Sequence, residues 1–199
     1  MEIRFLKDRI ELEKELNILD KIVLEFVSLL DKSNIKYVLV SGYVSILFGR
    51  SRTSEDIDII AEIMDFNKFS RLWEQIYEKF ECINTEDLKE AYEDYLTKNH
   101  ALRFSKKDSF IPNVELKFPK AELDFWTLKE RKKVLLNNTE IFISPLEVQI
   151  PFKLFLGSEK DIEDARHLFK LFKNKIDLQL LNEFNRKLKI ESLFDRYLR

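Results

Sequence analysis

The chain has few of the residues that build disulfides, zinc sites and long loops. Its one cysteine, Cys82, excludes an internal disulfide and a cysteine-based zinc site. The two histidines, His100 and His167, have no suitably spaced partners and read as structural. Three glycines and four prolines in 199 residues exclude a loop-rich or disordered protein. No run of about 18 apolar residues exists, so no membrane span is expected. The first residues, MEIRFLKDRIELEKEL, are charged throughout and do not read as a secretory signal. With so little cysteine, a reducing, cytoplasmic setting is the expectation.

Apolar side chains are plentiful. Hydrophobic residues make up 45% of the chain and 17 are Phe, ample for a core. The length suits one domain, or one domain with a small helical extension. Net charge is −2, unevenly spread: residues 129–199 carry 15 Lys and Arg against 11 Asp and Glu. A basic final third could face a nucleic acid, but the excess is small and ordinary solvated helix faces explain it better.

The chemistry concentrates in Tyr37 to Glu62, YVLVSGYVSILFGRSRTSEDIDIIAE. Tyr37 to Val40 is a short apolar run of strand type. Ser41 and Gly42 end it, and Gly42 permits a tight turn and close backbone approach. Val44, Leu47 and Phe48 give a brief helical face that Gly49 stops. Arg50 and Arg52 follow in a polar loop. Asp56-Ile57-Asp58-Ile59 then alternates, which puts both carboxylates on one face of a strand. Adjacent carboxylates repel each other, and a divalent cation between them removes the repulsion; Mg²⁺ is commonly held by one or two carboxylates plus phosphate oxygens and water. Metal, phosphate-facing backbone and arginines in one segment suit phosphoryl or nucleotidyl transfer, where catalysis is mostly positioning and charge neutralisation.

This stretch resembles the nucleotidyltransferase superfamily related to DNA polymerase β, with its glycine turn, short helix and hDhDh strand. Arg52-Thr53-Ser54-Glu55-Asp56-Ile57-Asp58 is similar to an R-x-T-x-x-D-h-D element of the stand-alone branch that includes the AbiEii-type toxins. Ser41 stands where that family has the first glycine of its pair. Ser144-Pro145-Leu146-Glu147, Lys153 and Lys160-Asp161-x-x-Asp164 resemble the same branch. The resemblance spans most of residues 35–171. It implies an α+β fold: a small mixed sheet with helices packed on one side and a helical C-terminal part. Residues 1–143 would form the core and 144–199 the extension packed on it. It also implies Mg²⁺-dependent transfer of a nucleoside monophosphate from an NTP, with two Mg²⁺ ions or Mn²⁺ in their place. Asp56 and Asp58 would bind both metals. Ser41, Gly42, Arg52 and Lys153 would hold the nucleotide. The acceptor would be an RNA such as tRNA, or a protein, and a toxin role would bring a cognate antitoxin as partner.

Along the chain, Ile10 to Leu30 shows helical spacing of Leu12, Leu16, Leu19, Ile22, Val23, Phe26 and Leu30. Asp65 reads as the N-cap of a helix over Phe66 to Phe80, and a further helix is expected over Thr85–Leu96. His100 to Phe104 and Phe110 to Phe118 read as paired strands around Lys106 to Ser109. On the second, Val114, Leu116 and Phe118 face one way and Glu115 and Lys117 the other. The resemblance implies a third carboxylate on such a later strand, beside Asp56 and Asp58; Glu115 is the candidate for that metal-binding and catalytic role, with Asp124 its competitor at the start of a helix. Val134 to Ile143 reads as a hairpin around Asn137-Asn138. Ser144, Pro145 and Glu147 read as N-cap, first turn and capping box of a helix that Pro151 kinks or breaks. SEKDIEDARHLFKLF forms another helix, and one or two more close the chain.

Two other readings compete. Glu115-Leu116-Lys117 is an E-x-K element that suits a metal-dependent nuclease, although that leaves Gly42 and Arg52 without a purpose. A non-catalytic domain of the same fold, binding nucleotide or a partner, is the other.

Overall fold

Period-two alternation decides which side of the sheet becomes core. Ile57 and Ile59 are fully buried, whereas Asp56, two positions from Asp58 on the opposite side, is exposed. The computed structural model describes residues 1–198. The strands are β1 (Glu2–Phe5), β2 (Arg9–Glu13), β3 (Tyr37–Val40), β4 (Asp56–Ala61), β5 (Phe80–Cys82), β6 (Leu102–Lys106), β7 (Asn113–Lys117), β8 (Lys132–Leu136) and β9 (Thr139–Ile143). They form one mixed sheet of nine strands in the order β1-β2-β8-β9-β3-β4-β7-β6-β5. The pairs β2–β8, β9–β3 and β4–β7 are parallel, and the rest antiparallel.

Two helices cover the apolar face, α1 (Ile18–Lys32) and α3 (Phe66–Tyr77). Phe26 of α1 packs edge-on to Phe80 at 5.3 Å, and Trp73 of α3 packs edge-on to Phe104 at 5.8 Å. These rings join Leu39, Ile57, Ile59, Val114 and Leu116 in one core. Burying each such side chain contributes about 1.5–3 kcal/mol. The short α2 (Gly42–Leu47) connects β3 to the loop before β4, and α4 (Leu88–Glu90) runs on through a π-helical turn to Tyr95. The helix α5 (Glu122–Lys129) lies against β3 and β4 on the carboxylate face. Then α6 (Leu146–Leu156), α7 (Glu159–Phe172), α8 (Leu178–Leu188) and α9 (Glu191–Leu198) pack together, with α7 against α2. The α+β class expected from the sequence is the one observed, but the mixed sheet is large, with nine strands, and helices lie on both of its faces rather than on one.

Three local expectations change. The helix expected over Ile10 to Leu30 is strand β2 followed by α1. Ile10 and Leu12 alternate with Arg9 and Glu11 and pair with β8, and Asn17 caps α1 in a reciprocal capping box with Asp20. Ser144 does not cap α6: its hydroxyl donates to Gln149 Oε1 at 2.7 Å, and Glu147 accepts from the backbone N–H of Asp177 at 3.1 Å instead of closing a capping box. Pro151 neither breaks nor ends α6, which continues to Leu156 and stops where Gly157 turns left-handed at φ +71°. The expected hairpin is present, with Asn137 and Asn138 at φ +46° and +67°, the geometry that Asn tolerates in tight turns.

Candidate active site

The turn after β3 is strained. Ser41 takes φ +61° and ψ −134°, a region that favours glycine, and its side chain does not cap α2. The turn is held from the far end of the sequence. Gln149 on α6 donates from Nε2 to the Ser41 carbonyl at 2.7 Å, and the Ser144 hydroxyl fixes Gln149 through its other end. The backbone N–H of Ser144 in turn donates to Leu39 O at 2.9 Å. Tyr43 anchors α2 from below: its hydroxyl donates to the fully buried Asp20 at 2.9 Å, and Lys14 pairs with the same carboxylate.

Gly42 begins α2 with Arg52 lying on it. A Cβ added at Gly42 would sit 2.1 Å from Arg52 Nη2. The missing side chain therefore makes room for a guanidinium. Arg52 is aimed by Asp164, fully buried on α7, with Nε 3.1 Å from Oδ1. Asp164 also faces Lys153 Nζ at 3.1 Å and Arg50 Nε at 3.7 Å, and Lys153 reaches Asp161 at 2.6 Å. Three cations thus share two carboxylates. Lys153 is almost wholly buried in this cluster, so the long side chain that could have snorkelled out of an apolar helix turns inward. Burial is the largest single effect on the Asp161 carboxyl and pushes its proton affinity up, but hydrogen bonds from Lys153 and Ser158 and the charge of Lys153 together outweigh it and hold the group below its ordinary range.

The parallel pairing of β4 with β7 sets Asp58 directly beside Glu115, and Asp56 beside Asn113. Lys117 comes next to Glu115 on the same face. Burial pushes the Asp58 carboxyl above its usual range. Lys117 and the Ser41 hydroxyl pull it down, while Glu115 and Asp56 push it further up. Glu115 is engaged by Arg103 across the β6–β7 pair, with Nε at 2.8 Å and Nη2 at 2.7 Å from one oxygen. Asp124 is spent differently: its carboxylate accepts from the backbone N–H groups of Lys120 and Ala121 at 2.9 and 3.0 Å and so closes the first turn of α5. Among the described residues, no three His, Cys, Asp or Glu side chains converge closely enough to hold a metal ion.

Asp58 opens into a half-enclosed cavity of about 270 Å³ between the sheet, α5 and α6. Its walls are mainly apolar, with Val40, Ile60, Leu123 and Phe152, and its polar groups include Ser41, Asp58, Lys117, Asp124 and Gln149. The structure thus gathers Ser41, Gly42, Asp56, Asp58 and Glu115 at one end of β3, β4 and β7. Arg52 stands beside them on Gly42, and Lys153 lies behind Arg52. Gln149 and Arg103 were not singled out in the sequence. A lone glutamine among apolar residues of α6, and an arginine opposite a glutamate in a strand pair, are the only signals they leave.

The architecture is that of the nucleotidyltransferase-like fold. A crystal structure of an antigenic nucleotidyltransferase-like protein from Paracoccidioides brasiliensis superposes with a TM-score of 0.55 at 18% identity, over 89% of this chain and 90% of that one. The solution structure of the antibiotic-resistance factor ANT(2″)-Ia is similar at a TM-score of 0.46 and 10% identity, over 89% of this chain and 98% of that one. The sequence matches no protein-family profile and no curated protein. No described helix is long and apolar enough to cross a membrane.

Proposed function

We propose that the chain moves a nucleoside monophosphate from an NTP to an acceptor hydroxyl on RNA, such as a tRNA, or on a protein. The observation that carries this reading is the register of β4 and β7, which aligns Asp58 and Glu115 on one face next to the Ser41–Gly42 turn. Mg²⁺ or Mn²⁺ is the cation this donor chemistry would suit, once Glu115 leaves Arg103 and the three carboxylates, which do not converge in this conformation, draw together. Asp56, Asp58 and Glu115 offer hard oxygens, and the raised proton affinity of Asp58 marks a place where uncompensated negative charge meets burial. When bound, the metal would polarise phosphate oxygens and ease ionisation of the acceptor hydroxyl.

The remaining work belongs to the chain. Ser41 and the backbone of Gly42 would contact the triphosphate, and Arg52 would neutralise charge on the departing pyrophosphate. Lys153 would act beside Arg52, sharing Asp164. Glu115, released from Arg103, would accept the acceptor's proton. The new bond joins the acceptor oxygen to the α-phosphorus, the α–β anhydride bond breaks, and pyrophosphate leaves with its electron pair. The division into a core over residues 1–143 and an extension over 144–199 belongs to this reading, because α6 and α7 supply Gln149, Lys153 and Asp164 to a motif in the first part. So do a toxin role and a cognate antitoxin.

A second reading, a non-catalytic nucleotide-binding domain, is favoured by one observation, the Arg103 clamp on Glu115. Thermal melting with each NTP, with and without Mg²⁺, tests both. Ligand that binds only the native state raises the melting temperature by mass action. The expected result is an Mg²⁺-dependent rise that Asp56→Ala/Asp58→Ala abolishes, followed by transfer of α-labelled nucleotide to RNA or protein. A rise without transfer supports the second reading. Absence of any rise at millimolar Mg–NTP overturns both.

A further inference from the structure

A concentration of positive charge lies away from Asp56, Asp58 and Glu115. A cavity of about 460 Å³ opens at the other end of the sheet, beside the β1–β2 turn, the segment after α5, the start of α6 and the segment after α7. Seven Lys or Arg side chains line it against three carboxylates, Asp8, Glu130 and Glu147. Arg9 and Lys133 are paired, with Glu11 at 2.8 Å and Glu140 at 2.6 Å, and Lys129 faces Glu130 at 3.7 Å. Arg9 also approaches Asp8 at 3.4 Å, and Glu147 is engaged by backbone.

Four cations are left without a carboxylate within ion-pair distance among the described residues: Lys7, Arg131, Lys132 and Lys175. They come from three separate segments of the chain. Arg131 is the inner one. It stacks on Phe142 with its guanidinium carbon 3.9 Å from the ring centre, and Nη1 donates to Tyr37 O at 2.9 Å. Burial holds its proton affinity below the usual arginine range, although Tyr37, Asp31, Glu62 and Glu140 act at longer range to raise it.

Strand register relates this cavity to the carboxylates. Arg9 pairs with Lys133, and Lys133 with Phe142, so all three share a face. Leu39 pairs with Ile143, which puts Phe142 on the same side as Val40, and Val40 pairs with Asp58. Arg9, Lys133 and Phe142 of the basic cavity therefore share a face of the sheet with Asp58, whereas Lys132, paired with Ile143, starts from the other face and lines the cavity from the first position of β8. The helix α5 and the first turn of α6 stand between this cavity and that of Asp58: Leu146 and Glu147 line the basic cavity, and Val148 and Gln149 the other.

We propose that this cavity is a second, separate site for phosphate groups, held by Lys7, Arg131, Lys132 and Lys175. Phosphate is the fitting chemistry because four cations surround an open volume, one of them a planar guanidinium already fixed by stacking. The same groups occur in a free oligophosphate and in a nucleic-acid backbone, and the experiment separates these sources. The proposal does not depend on nucleotidyl transfer.

The test is binding of a fluorescein-labelled 20-nucleotide RNA, measured by anisotropy, and of inorganic tripolyphosphate, measured by calorimetry. Both are run in EDTA, so that no divalent cation bridges phosphate to the carboxylates. The variants are Lys7→Glu/Lys132→Glu/Lys175→Glu, all exposed positions, and Asp56→Ala/Asp58→Ala. Melting curves without ligand check that both variants fold, and Lys7→Gln/Lys132→Gln/Lys175→Gln replaces the first if it does not. The expected result is binding by the natural protein, weakened at least about tenfold in the lysine variant and retained in the aspartate variant. For RNA, the dependence on salt should also flatten, because each neutralised phosphate releases counter-ion. RNA binding alone assigns the site to a nucleic-acid backbone, and tripolyphosphate binding alone to a free phosphate compound. Binding of neither ligand, equal binding by the lysine variant, or loss confined to the aspartate variant overturns the proposal.

Discussion

Arg52 occupies the space that a side chain at position 42 would fill, with Nη2 2.1 Å from where a Cβ of residue 42 would stand. The glycine of the motif is thereby explained by a residue ten positions later. Gly42→Ala is expected to destabilise the protein by about 1–3 kcal/mol through overpacking. Arg52→Ala in the same chain should restore part of that loss. The measurement is a double-mutant cycle in urea. Additive effects of the two substitutions would show that the crowding has another origin.

Ser41 holds a glycine-favouring conformation with φ +61°. Ser41→Gly should stabilise by about 1 kcal/mol, because relief of strain of about 1–3 kcal/mol exceeds the added chain entropy of about 0.5–1 kcal/mol. It should also let the Asp58 proton affinity rise further, since the Ser41 hydroxyl pulls it down. Unfolding midpoints and a carboxyl titration by NMR report the two effects separately. A loss of stability would show that the hydroxyl outweighs the strain.

Gln149 is the strut between α6 and that turn. Gln149→Leu keeps the size, loses both hydrogen bonds and leaves the Ser41 carbonyl unpartnered, at a cost of about 1–3 kcal/mol. If nucleotide binds at the turn, the Mg–NTP melting shift should shrink as well. An unchanged shift beside a lower midpoint would make Gln149 purely structural.

Asp58 should make the protein less stable as pH rises. Its folded-state proton affinity lies above the ordinary carboxylate value, chiefly through burial. The native state therefore binds the proton more tightly than the unfolded chain does. That contribution is fully present below the unfolded pKa of about 3.9 and is lost as pH rises through the raised folded value. Asp58→Asn should accordingly melt higher than the natural protein at pH 7, with the difference closing toward pH 4. Mg²⁺ should narrow the difference at pH 7 by stabilising the ionised form. A lower melting temperature for Asp58→Asn at pH 7, without metal, would refute the argument.

Asp164 faces Arg52, Arg50 and Lys153 while fully buried. Asp164→Asn removes the charge shared by three cations and should cost about 3–5 kcal/mol. Asp161 can answer only Lys153, so it does not replace Asp164 for the arginines. Denaturant midpoints measure the loss, and a change below about 1 kcal/mol would mean that water already screens the cluster.

The motif strand and its faces were legible because period-two patterning depends on neighbouring residues alone. Asp56 and Asp58 lie opposite Ile57 and Ile59, and Glu115 and Lys117 opposite Val114 and Leu116, as the sequence pattern requires. The strand at Arg9–Glu13 was hidden: Ile10 and Leu12 extend the helical spacing of α1, and only pairing with β8 decides against it. Ser144 carried a strong N-cap signal that tertiary structure overrode, since its hydroxyl went to Gln149. Lys153 could be seen as anomalous on an apolar helix, but its partners lie on the next helix. The Arg103–Glu115 clamp depends on register across β6 and β7, which hydrophobic patterning does not specify for the polar face.

The N-terminal hairpin has a consequence for how the chain is made. β2 closes onto β8, and Lys14 N–H meets Asn137 Oδ1, a sequence separation of 123 residues. Contacts this distant raise the contact order and slow folding. During synthesis, Arg9 to Glu13 leaves the ribosome long before Lys132 to Leu136 exists. At about 5–20 residues per second, that strand waits several seconds with the edge that will meet β8 unpaired, its other edge being covered by β1. Its alternate charges, Arg9, Glu11 and Glu13, lie along that edge and oppose pairing with another nascent chain. The charged character of this segment therefore guards an intermediate of biosynthesis as well as shaping the finished sheet.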